Sequence, residues 1–261
     1  MNISLKGKIA LVGGSTRGIG LAITKQLASS GASVCLMSRN QSKMEKIVDQ
    51  LSKDLNQEHT FIKVDFSDFD SFKGIMKDFF NERKIDILIN NTQGPSSGNT
   101  LSKSVDDYQF AFDLLFKNIV YTSSLALDHM KKQNWGRIIN VASVSVREPL
   151  NYLVLSNSIR SAMVSWSKTL SADVASHGIT VNSILTGYFD TERISEIIKD
   201  KAKSLNIKES EVLKSMKELV PLKRLGKPEE YGYLVNFLAS DKASYITGSS
   251  IPIDGGLLKS I

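Results

Sequence analysis

The chain has 261 residues, 41% of them hydrophobic and 23% charged, with 33 Lys and Arg against 27 Asp and Glu, a formal charge of +6 and a pI near 9.2. That balance is ordinary for a soluble globular protein, and the chain holds no internal repeat or low-complexity tract. The single cysteine, Cys35, allows no intramolecular disulfide and lies in an apolar run, which predicts a buried core thiol in a reducing compartment.

No apolar stretch approaches about 20 residues, and residues 1–8 lack the apolar core of a signal peptide, so a cytoplasmic protein without a membrane partner is expected. The lysines are spread over polar helix faces rather than clustered with aromatics. This predicts a solvated basic surface suited to anionic substrates and no nucleic-acid partner.

Short, β-branched apolar runs at 8–12, 33–37, 60–64, 85–89, 137–141, 180–184 and 249–253 are bounded by turn residues. Continuous apolarity predicts strands buried on both faces, as in a parallel sheet covered by helices. Helical spacing fills the intervals at 19–30, 42–56, 69–83, 105–132, 153–177 and 228–240. The alternation predicts one α/β domain over residues 1–261, a doubly wound Rossmann fold with a seven-stranded parallel sheet. Residues 192–217 interrupt it with a polar, lysine-rich helical stretch. They read as a flap over the C-terminal edge of the sheet, held by little apolar surface.

Gly13-Gly14-Ser15-Thr16-Arg17-Gly18-Ile19-Gly20 follows the first strand and opens the first helix. Glycines there permit a tight turn and let the backbone approach a pyrophosphate, while the helix N-terminus supplies free N–H groups. The strand–turn–helix setting makes Gly14, Ser15, Thr16, Arg17, Gly18, Ile19 and Gly20 the expected dinucleotide cradle.

The loop resembles the Gly-x-x-x-Gly-x-Gly fingerprint of the short-chain dehydrogenase/reductase family, with Gly14, Gly18 and Gly20 as its glycines. The resemblance continues through Asn90-Asn91-Thr92-Gln93-Gly94, Gly136–Ser143, Leu185-Thr186-Gly187, Tyr245–Gly248 and Asp254-Gly255-Gly256. It is nearest in character to β-ketoacyl-acyl-carrier-protein reductases. It implies an adenine contact for Asp65, a cofactor role for Asn91, a carboxamide contact for Thr191, and active-site roles for Asn118 and Ser143.

Cofactor choice follows from charge. An acid after the second strand would repel a 2′-phosphate, but Ser38-Arg39-Asn40 stands there, with Arg17 in the glycine loop. Two guanidinium groups pair well with a phosphate, so NADP(H) is expected over NAD(H).

The family's proton-transfer motif is Tyr-x-x-x-Lys, thirteen residues beyond the serine. Counting from Ser143 gives Ser156-Asn157-Ser158-Ile159-Arg160, so both signature residues are replaced. Arg160 retains the positive charge and can bond the nicotinamide ribose or support a developing alkoxide. Ser156 is no substitute for a phenol as an acid (Tyr pKa about 10). Two proton routes are open: a water held by Ser143, Ser156 and Arg160, or Tyr152 reaching back along a shared helix face. Tyr152 also reads simply as a packing residue at the helix start.

His59, His129 and His177 form no ligand pair, so no metal is expected. Ser158, Ala162, Ser165 and Thr169 make a small-residue stripe, and in the resembled family the equivalent helix packs on a second subunit, implying a homo-oligomer. The leading expectation is an atypical NADP(H)-dependent carbonyl or 3-oxoacyl reductase acting on a small molecule or acyl thioester. The alternatives are a non-catalytic NADP(H)-binding sensor or partner subunit that lost the proton donor, and other chemistry on the same scaffold.

Overall fold

The computed structural model describes residues 2–260. Seven strands form one parallel sheet in the order β3-β2-β1-β4-β5-β6-β7. They are β1 (Ile9–Gly13), β2 (Ser33–Ser38), β3 (Thr60–Lys63), β4 (Ile87–Asn90), β5 (Gly136–Val141), β6 (Ile179–Thr186) and β7 (Ser250–Ile253). The expected strands are all present, with ends shifted by a residue or two.

The nine α-helices among the described residues are α1 (Gly18–Ser29), α2 (Gln41–Gln50), α3 (Phe69–Glu82), α4 (Val105–Phe112), α5 (Asn118–Gln133), α6 (Val154–Val174), α7 (Glu192–Leu205), α8 (Glu209–Leu219) and α9 (Pro228–Leu238).

Strand periodicity divides the core. Ala10 and Val12 of β1, with Val34 and Leu36 of β2, face a cluster containing Ile23 and Leu27 of α1 and Tyr231 and Val235 of α9. Leu11, Cys35 and Met37 point the opposite way, onto Phe72 and Met76 of α3 and Ala126 and Met130 of α5. Side chains at successive positions lie on opposite faces, so a strand apolar at every position requires helices on both sides. Cys35 lies in the second cluster, and burial pushes its thiol up to about 11.

The strand order reverses between β1 and β4, and open α/β sheets bind ligands outside the strand C-termini at such a point. The β1–α1 and β4 loops meet there: Asn91 Nδ2 donates to the Gly13 carbonyl across 3.0 Å.

Two expectations need correction. The helix expected over 105–132 is broken by a five-residue π segment, Asp113–Lys117, in which the Asn118 N–H reaches the Asp113 carbonyl. Periodicity cannot reveal one widened turn, and such turns are frequent near functional sites. The stretch 192–217 is two helices with a substantial apolar face. Ile194, Ile197, Ile198 and Ala202 of α7 pack with Val212 and Met216 of α8, Tyr188 and Val220 in a cluster of their own. The abundance of charge concealed four apolar residues at helical spacing, which anchor the pair.

Candidate active site and cofactor cleft

A cleft of about 630 Å³ runs from the glycine loop to the start of α6. That volume suits a small-molecule or cofactor site. The loop conformation depends on glycine at two points. Gly14 has φ +55, and a Cβ there would meet the Asn91 amide nitrogen at 2.8 Å, while a Cβ on Gly20 would lie 2.1 Å from the Gly14 carbonyl oxygen. Side chains at these positions would separate β1 from α1 and from the β4 loop.

The N-terminus of α1 is left free for a ligand. Its N-cap, Arg17, is extended and makes no side-chain cap bond, and its first turn holds no acid. By contrast, α2 and α3 are capped by the side chains of Asn40 and Asp68. Uncapped N–H groups and the positive dipole end, facing a cleft, suit an anionic group such as a pyrophosphate. The residues present therefore fit a dinucleotide.

At the end beside β2, where an adenosine would lie, the cleft is lined by Thr16, Arg17, Ser38, Arg39, Asn40 and Lys43. The Thr16 and Ser38 hydroxyls are 3.2 Å apart, joining the glycine loop to the end of β2. Ser15 does not line the cleft. It is fully buried, and its hydroxyl accepts from the Met37 N–H at 3.1 Å, so it shapes the loop from beneath. Asp65 also lies off the lining. Burial acts to raise its pKa, but hydrogen bonds from the Ser67 hydroxyl and N–H, aided by Arg39, hold it below the usual carboxylate value.

At the other end the cleft is lined by Ser143, Ser156 and Arg160, with Gln93, Tyr152 and Tyr188. Ser143, just beyond β5, accepts from the Ser145 N–H at 3.1 Å, which leaves its own O–H proton to donate. Arg160 lies two helical turns into α6 and donates through Nη1 to the Val141 carbonyl. Burial lowers its pKa to about 10, so it remains a cation at neutral pH. Both Ser156 and Arg160 are 9% exposed and line the cleft.

Beneath them is a polar relay. Asn140 of β5 accepts from Asn90 of β4 at 2.7 Å and donates to Ser167 of α6 at 2.7 Å, fixing α6 against the strand ends.

Tyr152 precedes α6, so the expectation that it shares a helix face with Ser156 does not hold. Its hydroxyl is 3.4 Å from that of Tyr188, and Lys201 lies 5.1 Å above its ring. Burial, then the neighbouring Tyr188, raises its pKa, which makes it a poorer acid than a free phenol. Asn118 does not line the cleft either. Its amide nitrogen donates to the Phe66 carbonyl at 2.7 Å at the end of the π segment, while its buried Oδ1 has no partner among the described residues.

Thr191 caps α7 and abuts the glycine loop; a Cβ on Gly18 would lie 3.1 Å from its methyl group. Sequence reasoning did not single out Lys43, Tyr188 or Arg193, all of which line the cleft. Lys43 had a usable signal, since it follows Arg39 by four residues in the first turn of a helix. Arg193 and Tyr188 had none, because only the fold brings them back over the sheet edge.

A family profile described as enoyl-(acyl carrier protein) reductase matches residues 14–258. The chain is 34% identical over 263 residues to 3-oxoacyl-[acyl-carrier-protein] reductase FabG of Chlamydia pneumoniae, covering 98% of this chain and 99% of that one. The chain belongs to the short-chain dehydrogenase/reductase family. The relatives that it matches are reductases, which supports an enzyme of the oxidoreductase class.

Another relative, the NADPH-dependent reductase BacG of Bacillus subtilis, is 32% identical, with 97% of this chain and 99% of that one covered. Among solved structures, L-sorbose reductase of Gluconobacter frateurii, complexed with NADPH and L-sorbose, superposes with a TM-score of 0.91 at 28% identity over the full length of both chains.

Proposed function

We propose that this protein is an NADP(H)-dependent reductase of carbonyl compounds in which Ser143, Ser156 and Arg160 form the reacting end of the cleft. One observation carries the reading. A single cleft joins an uncapped helix N-terminus and a cationic adenosine end to a serine pair beside a buried guanidinium. The names of the relatives, NADPH-dependent reductases and 3-oxoacyl reductases, support NADP(H) and a carbonyl substrate, either a small molecule or an acyl thioester.

The adenosine 2′-phosphate is taken by Arg17 and Arg39, with Thr16, Ser38 and Lys43 around them. The glycine loop and the α1 N-terminus hold the pyrophosphate, while Asn91 and Thr191 serve the nicotinamide half. Bound nicotinamide supplies or accepts the hydride. Ser143 and Ser156 donate hydrogen bonds to the substrate oxygen. Arg160 supports the charge that develops on it and reaches the ribose, a role a fixed buried cation fills well. With no phenol at position 156, the proton reaches the oxygen through water held by the two serines. Asn118 acts from behind the cleft by fixing the α5 end of the π segment, and Asp65 holds the β3 loop behind the adenine.

The loss of the family tyrosine favours a second reading, a protein that binds NADP(H) without turning over. Consumption of NADPH against a panel of ketones and 3-oxoacyl thioesters tests between them; no consumption with any carbonyl would leave the binding reading. The reading includes a cytoplasmic homo-oligomer. Exposure of Ser158, Ala162, Ser165 and Thr169 on α6 supports the assembly, and a buried, unpaired Cys35 suits a reducing compartment. No helix among the described residues is long and apolar enough to cross a membrane.

A further inference from the structure

Charge is distributed unevenly within the cleft. Its charged lining residues are Arg17, Arg39, Lys43, Arg160, Glu192, Arg193 and Glu196, five cations and two acids. Arg39 and Lys43 lie at the adenosine end beside Ser38, and Glu192 lies against the glycine loop, its carboxylate 3.8 Å from where a Gly18 Cβ would be. Glu196 is shared: Arg17 reaches it at 3.2 Å and Arg193 at 3.3 Å. Once a 2′-phosphate occupies Arg17, Glu196 balances Arg193 alone, and Arg160 remains a cation without an acid among the described residues.

A buried, unbalanced cation is costly unless a ligand supplies the counter-charge. Arg160 makes one hydrogen bond, to the Val141 carbonyl, and its other N–H groups have no protein acceptor among the described residues. Arg193 stands on the same cleft, in the first turn of α7. Its guanidinium lies flat over Gly94, where a Cβ would approach Nε at 3.1 Å and Nη2 at 3.2 Å. Nη2 donates to the Pro95 carbonyl at 2.8 Å and Nη1 to Glu196, so Nε–H and one N–H on each terminal nitrogen are uncommitted.

We infer that the substrate carries a carboxylate beside its reacting carbonyl, and that Arg193 is the residue that selects it, against the cationic background of Arg160. The inference rests on the reductase reading and narrows its substrate class to oxo acids. Arg193 is close enough to Arg160 to help depress its pKa, so a carboxylate beside them relieves repulsion between two cations as well as gaining hydrogen bonds. An uncharged ester has neither gain.

Acetoacetate and methyl acetoacetate, which share a carbon skeleton, are the probes. With saturating NADPH, the wild type is expected to prefer the acid by at least about tenfold in kcat/KM, the factor that one charge-assisted hydrogen bond supplies. Arg193→Met should abolish that preference through a raised KM for acetoacetate, leaving methyl acetoacetate turnover at saturating NADPH as in the wild type. Glu196→Gln, which frees Arg193 from its acid, should lower the acetoacetate KM.

Equal use of acid and ester by the wild type, or an equal loss of both in Arg193→Met, overturns the inference while leaving the reductase reading intact. Turnover of neither probe counts against the reductase reading. Calorimetry of acetoacetate into the NADP+-loaded protein then decides the carboxylate site separately. Binding that Arg193→Met removes supports it, and no binding to the wild type overturns it.

Discussion

Arg17 of the glycine loop donates to Glu196 of α7 across 3.2 Å, joining residues 179 apart in the chain. The expected reader of the 2′-phosphate is thus held by an acid from the helix pair that borders the cleft. On the proposed function a 2′-phosphate competes with Glu196 for that guanidinium, which would link cofactor binding to the position of α7 through one side chain. Each partner is 46% exposed, and ion pairs of that exposure are worth about 1 kcal/mol or less. Glu196→Gln should therefore tighten NADP(H) by up to about fivefold without changing NAD(H), measured by calorimetry. An equal change for both cofactors would show that the phosphate and Glu196 do not share Arg17.

Arg39 follows β2 and lies exposed at the adenosine end of the cleft. Arg39→Ala should weaken NADP(H) by about 1–3 kcal/mol, the cost of a lost charged hydrogen bond, and NAD(H) far less. Dissociation constants for both cofactors measure this. Equal losses would mean that the arginine does not contact the phosphate.

Much of this cleft was legible in the chain. The glycine loop is local, and its strand–turn–helix setting is read from contiguous residues, so Gly14, Gly18 and Gly20 fall where their spacing put them. Arg160 and Ser156 were found by counting from Ser143, and both face the cleft. What stayed hidden depends on long-range packing. Arg193 reaches the β4 loop across 98 residues, and nothing in its neighbourhood of Thr191-Glu192-Arg193-Ile194 marks it. Ser15, Asp65 and Asn118 carry motif identities, yet none of them lines the cleft; they bond Met37, Ser67 and Phe66, with one Asp65 oxygen and the Asn118 Oδ1 left without a side-chain partner among the described residues. Position in a motif specifies a residue type. It does not say whether the side chain meets the ligand or shapes the loop that does.

The apolar face of α7 and α8 implies that residues 192–217 do not behave as a loosely held flap. Ile197→Ala should cost about 2–4 kcal/mol, as for other truncated core side chains, and should raise amide exchange across both helices before the sheet is affected. Exchange in the unmodified protein as rapid as in a solvated loop would show that the cluster does not hold the pair.

Acid stability should depend on Glu230. The Arg224 guanidinium hydrogen-bonds its carboxylate at 2.7 Å, and the Lys227 N–H adds a bond at the start of α9, lowering the Glu230 pKa to about 2. The folded pKa is below the ordinary 4.5, so this contribution is complete above pH 4.5 and lost as pH falls through 2. Both side chains are more than a third exposed, so solvent and salt reduce the effect. Glu230→Gln should flatten the decline in melting temperature across that window. An unchanged pH profile would show that the pair contributes nothing measurable.

On the proposed function, a serine pair and a buried arginine reduce a carbonyl without the family tyrosine. Single-turnover oxidation of bound NADPH in the wild type, Ser143→Ala and the double variant Ser156→Tyr/Arg160→Lys, against the same ketones and 3-oxoacyl thioesters, distinguishes this from cofactor binding alone. The wild type should turn over, and Ser143→Ala should slow by about tenfold to a thousandfold with NADPH affinity unchanged, as when one donor to a developing oxyanion is lost. The double variant should be slower than the wild type, because a phenol would fill the space of the proposed water. Tight NADPH binding by the wild type with no oxidation by any carbonyl, together with turnover gained by the double variant, would contradict the claim and leave a cofactor-binding protein.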